Sequence, residues 1–136
     1  MTILQPVLRG RYPSSKTEAD EARRAIQPLS QPADPLWIGQ RVVTLLYHYF
    51  AADIAPAAIE AMAEDWITEL REYPAWAIEA ACKAWLSKDN PKRGKKPMPG
   101  DISEGADKSA ALITSARQMI KFYEKYGDQP PAYLKS

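Results

Sequence analysis

Twelve prolines punctuate the 136-residue chain and leave only a few stretches in which a helix can run unbroken. Proline lacks the N–H that an interior helical hydrogen bond needs, and its ring pushes the preceding residue out of helical geometry. Pro6 and Pro13, with Gly10 between them, make residues 1–13 a flexible N-terminal arm. "SQPADP", the Tyr73-Pro74 step, "DNPKRGKKPMPG" and the Pro130-Pro131 pair mark the other boundaries.

Between these breaks, apolar residues recur at helical spacing. Ser14 or Ser15 is expected to cap a helix through "KTEADEARRAIQPL", with Glu18 as the capping-box partner of Ser15. Its apolar side, Ala19, Ala22, Ala25, Ile26 and Leu29, is thin and needs tertiary support. "LWIGQRVVTLLYHYF" repeats Ile38, Val42, Leu45, Leu46 and Tyr49 over a span too long for an ordinary strand, and Gly39 weakens its first turn. Pro56 suits the first turn of the next helix, whose stripe is Ile59, Ala63, Trp66, Ile67 and Leu70. Beyond Tyr73-Pro74, the residues Trp76, Ala77, Ala80, Ala81, Ala84 and Trp85 form a small-plus-large pattern suited to close helix packing. A last helix is expected from Asp101 or Ser103 through Leu112, Ile113, Ala116, Met119, Ile120 and Tyr123, stopping near Tyr126 at Gly127.

These elements predict an all-α protein, a compact bundle of four or five helices. One helical domain would cover 14–126, with a short C-terminal tail at 127–136. Leu46, Trp66, Leu70, Trp85, Ile113 and Met119 are its expected core, and residues 90–96 its mobile segment. A hydrophobic fraction of 46% and a charged fraction of 26% fit a folded chain rather than a disordered one. The N-terminus has no uninterrupted apolar run, so neither a signal peptide nor a membrane span is expected and the cytoplasm is the expected location.

Catalytic chemistry finds little footing. A lone cysteine, Cys82, excludes an intrachain disulfide, a CxxC redox pair and a four-cysteine zinc site. His48 is the sole histidine and reads as a core or edge residue, and nothing in its spacing to Cys82 makes a catalytic signature. Glu60 and Glu64 share a helix face, as do Asp65 and Glu69, without a ligand set around them, so a solvated or partner-facing surface is the expectation. No GxxxxGK[ST], GxGxxG or HExxH element occurs. No enzyme activity, cofactor or metal is therefore expected.

Charge is more informative locally than globally. The formal net charge is only +1. Lys88, Lys92, Arg93, Lys95 and Lys96 nevertheless face a single acid, Asp89, giving +4 over residues 88–96, whereas residues 53–79 hold seven acids and one base, Arg71. These five cations are the candidate contacts for phosphate, for an acidic protein, or for solvent alone. Trp37 and Trp76, near helix starts, are candidates for an aromatic interaction patch; Trp66 and Trp85 match core stripes.

The run "AMAEDWITELREYPAWAIEAACKAWLSK...KPMPGDIS" resembles the helical loader-and-inhibitor proteins of phage replicative helicases. An aromatic-containing helix ends in a tyrosine-proline step, an alanine-rich helix follows, and a basic, proline-containing passage leads to the next helix. The resemblance spans roughly residues 37–104. It implies a non-enzymatic DNA-replication accessory protein of a phage-infected bacterial cell that binds a replicative helicase and restrains or loads it, with single-stranded DNA or a replication protein as further partners. Tyr73, Pro74, Pro97, Pro99 and Ile102 carry over as structural junctions, with Met98 and Ile102 docking the passage. The alternative is a nucleic-acid-associated regulatory adaptor or inhibitor acting through protein binding.

Overall fold

A computed structural model describes residues 6–50 and 55–134. Every regular element among them is helical, and six α-helices occur: α1 Lys16–Ile26, α2 Pro35–Tyr47, α3 Pro56–Leu70, α4 Ala75–Leu86, α5 Pro99–Ser109 and α6 Ala111–Tyr126. The number exceeds the expected four or five because the last predicted helix is two. Ala110, at φ −91° and ψ 3°, separates α5 from α6. The described residues divide into two compact units, one within residues 1–30 and 110–136 and the other within residues 31–109.

In the first unit, the α1 cap is the predicted one. Ser15 Oγ accepts from the Glu18 N–H at 3.1 Å, while the Glu18 carboxylate reaches back to the Ser14 N–H at 3.1 Å, one residue before the cap. Val7, Ala22, Ile26, Ala116 and Ile120 form the buried cluster, with Ile113 and Met119 half-buried against it. Val7 belongs to the segment expected to be a flexible arm; a 3-10 turn, Pro6–Arg9, carries it into this cluster. Tyr12 donates to the Gly127 carbonyl at 2.7 Å, and Gly127 itself needs the φ of +61° that ends α6. Residues 1–5 of the expected arm and 135–136 of the expected tail lie outside the described residues.

In the second unit, Asp34 caps α2 and Pro35 occupies its first turn; Pro56 does the same for α3. Ile38, Val42, Leu45 and Leu46 of α2 are buried, as are Ile59, Ala63, Trp66 and Leu70 of α3. Helix α4 buries only part of the expected face: Ala77 and Ala81 are buried together with Ile78 and Cys82, while Trp76, Ala80 and Ala84 are exposed and Trp85 is half-buried. Helix α5 packs on α4 through Gly105, where an added Cβ would lie 3.0 Å from Ala81 Cβ and 3.5 Å from Ala81 Cα.

Two helical glycines thus differ in kind. At Gly39 in α2 a Cβ would meet only Ile67 Cδ1, at an ordinary 3.4 Å. Gly39→Ala is expected to raise stability by about 0.5–1 kcal/mol through lost chain entropy in the unfolded state. Gly105→Leu is expected to lower it by about 1–3 kcal/mol through overpacking. Chemical denaturation of both variants checks the opposite signs.

Candidate functional site

The basic loop joins α4 to α5, and its backbone is held rather than loose. Asn90 Nδ2 donates to the Trp85 carbonyl at 2.8 Å, and the Lys92 N–H donates to Asn90 Oδ1 at 3.0 Å. Tyr49, just past α2, donates its hydroxyl to the Arg93 carbonyl at 2.8 Å. Trp85 Nε1–H donates to the Lys95 carbonyl at 3.1 Å, so this tryptophan, expected in the core, serves as a pin between α4 and the loop. The segment expected to be mobile is therefore bonded at both ends and in the middle.

On this frame Lys88, Lys92, Arg93, Lys95 and Lys96 are all exposed, and none forms an ion pair among the described residues. Arg93 spends one edge of its fork on the Lys88 carbonyl, with Nη1–H donating at 2.7 Å. Lys96 Nζ stands 5.3 Å from the Phe50 ring centroid, in cation–π range. Behind the loop tip, a cleft of about 640 Å³ is lined by Trp85, Asn90 and Lys92 but also by Asp89, Asp101 and Glu104. Lys108 lines the cleft as well and pairs with Glu104 at 3.7 Å, so the cleft carries both signs of charge whereas Lys92, Arg93, Lys95 and Lys96 of the loop are all cations.

The junction residues meet on the same unit. The Tyr73 carbonyl accepts from the Ala33 N–H at 2.8 Å, and its hydroxyl donates to Asp107 Oδ1 at 2.7 Å, tying the entry to α2, the α3–α4 turn and α5 together. Burial, then the Asp107 bond, pushes the Tyr73 hydroxyl up to about 12 and keeps it a neutral donor. Pro74 sits at the α4 N-cap with ψ 150°. Pro97 and Ile102 are fully buried, whereas Met98, expected to dock with Ile102, is 56% exposed. Its backbone N–H instead donates to Asp101 Oδ2 at 2.8 Å, closing the start of α5, and Pro99 is the first residue of that helix. Of the two candidate aromatics, Trp37 is half-buried and Trp76 is 36% exposed.

The acid–base candidates stay apart. His48 is exposed at the C-cap of α2, where its backbone N–H donates to the Leu45 and Leu46 carbonyls. Cys82 is buried, and burial raises its thiol to about 11, so it is a neutral packing residue. Glu60, Glu64, Asp65 and Glu69 are exposed, and the described residues hold no group of three His, Cys, Asp or Glu arranged for a metal ion. Sequence reasoning missed the Arg41 Nε–Glu79 Oε1 pair at 2.6 Å, the Tyr49 and Trp85 pins, and a groove between α2 and α3. Gly39, read only as a weak helix residue, was the one local signal of that groove. No family model, curated protein or solved structure matches the chain.

Replacing Trp85 with phenylalanine keeps most of the ring and removes its N–H donor. A net loss of about 0.5–1.5 kcal/mol of local stability is expected, read as roughly two- to tenfold faster amide exchange confined to residues 90–96.

Proposed function

We propose that the chain is a non-enzymatic accessory protein of phage or prophage DNA replication that binds a replicative helicase and restrains or loads it. The observation that carries this reading is where the resemblance falls: residues 37–104 lie inside one packed unit, 31–109, and Tyr73, Pro74, Pro97 and Ile102 are its joints. A prearranged surface of this kind binds without ordering itself first, which favours affinity. Mixing the chain with the replicative helicase of the phage or its host is expected to give a stable complex with altered ATPase activity or DNA loading, while the chain alone turns over no ATP. Absence of helicase association, with the chain folded, would contradict it.

The exposed cations favour a second reading, a regulator that contacts nucleic acid directly. Single-stranded DNA binding would then weaken with salt, and the variant combining Lys92→Gln, Lys95→Gln and Lys96→Gln would flatten the log–log salt slope by about 2. An unchanged slope removes the loop from phosphate contact.

A further inference from the structure

We propose that the groove between α2 and α3 docks one amphipathic helix of a partner protein, its apolar stripe flanked by lysine or arginine. The groove encloses about 630 Å³ and has a largely apolar floor of Gly39, Val43, Ala63 and Ile67. At one end stands Leu36, 69% exposed, a large apolar side chain without cover. Two antiparallel or parallel helices with such a trough between them accept a third helix that lays side chains at i, i+3, i+4 and i+7 along it.

Charge selects the occupant. Glu60 and Glu64 line the α3 side, one helical turn or about 6 Å apart, and Gln40 and Thr44 line the α2 side. No lysine or arginine lines the groove. A helix with basic residues beside its apolar stripe gains at Glu60 and Glu64, and one with acidic residues there is repelled. The unit as a whole reinforces the preference, since residues 31–109 hold nine basic and twelve acidic residues, a net of −3.

Gly39 supplies an independent observation. Its φ is not positive, so the backbone does not require glycine, and a Cβ there would make only ordinary contact with Ile67 at 3.4 Å. Neither conformation nor internal packing accounts for a residue that weakens α2. Its effect is to leave the groove floor open to a close-approaching side chain. A second copy's α6 is basic along Arg117, Lys121 and Lys125, but its Ala116 and Ile120 are buried and its Ile113 and Met119 half-buried in its own unit, so Leu112 stands exposed without the i+4 and i+8 partners that a trough-filling stripe needs.

The proposal deepens the helicase reading by naming the chemistry of the partner's segment, and its test uses no helicase, so the two fail separately. The probe is a fluorescein-labelled synthetic peptide of about 18 residues, with leucines at the i, i+3, i+4, i+7 positions and lysines elsewhere, beside a counterpart with glutamates for the lysines. Anisotropy titrations against the full chain at physiological salt are expected to show the lysine peptide binding at least about tenfold more tightly than the glutamate peptide. Glu60→Lys with Glu64→Lys is expected to reverse that order, and Gly39→Leu to weaken the lysine peptide about tenfold or more, with helicity unchanged by circular dichroism. The pair Glu69→Lys and Glu72→Lys, equal in charge change but outside the groove, is expected to shift affinity by less than about threefold. No binding of the lysine peptide, or equal losses from the two charge-reversal pairs, would overturn the proposal. So would concentration-dependent self-association, seen in sedimentation, that Glu60→Lys with Glu64→Lys abolishes.

Discussion

Helices α4 and α5 approach closely where Gly105 meets Ala81, and the basic loop of the second unit depends on that contact. A larger side chain at Gly105 would push the helices apart, because even an added Cβ there would lie 3.0 Å from Ala81 Cβ. The contact fixes the two anchor points of the basic loop, the end of α4 at Leu86 and the start of α5 at Pro99. With its ends set, the loop can be pinned by single hydrogen bonds from Trp85 and Tyr49. Buried Pro97 and Ile102 then seat the passage into α5. Small residues at a helix crossing thereby end as a defined display of five cations.

A second set of contacts organises the acidic side of the same unit. Arg41 of α2, only 15% exposed, pairs with Glu79 of α4 at 2.6 Å, and Tyr73 links the α3–α4 turn to α5. These polar ties hold the helices in register around an apolar interior of Leu45, Leu46, Trp66, Leu70 and Ile78. The trough between α2 and α3 and the basic loop are thus two displays of opposite charge on one helical frame.

Much of the fold was legible because proline and capping chemistry act locally. Pro35, Pro56 and Pro74 mark the starts of α2, α3 and α4, Ser15 and Glu18 build the α1 cap, and Gly127 ends α6. The break at Ala110 was not legible. Ile102, Ala106, Ala110, Ile113, Ala116 and Ile120 continue one helical stripe through it, and no glycine, proline or capping side chain marks the place. The buried face of α4 was ambiguous for a related reason: in "AWAIEAACKAW" alanines occur on both sides, so Ile78 and Cys82 decided the rotation only through tertiary packing. The five cations could be named from the sequence, but not the pins that hold them, since Tyr49 and Trp85 are 44 and 10 residues from the carbonyls they bind. The groove was hidden because it exists only once α2 and α3 are paired.

The central claim is that partner binding falls on the second unit's displays. Its most direct measurement is hydrogen–deuterium exchange of the full chain, free and in complex with the replicative helicase. Slowed exchange is expected to concentrate in residues 35–44, 60–67 and 88–96, with α1 and α6 unchanged. Protection confined to α1 and α6, or a complex with no protection in those three segments, would contradict it.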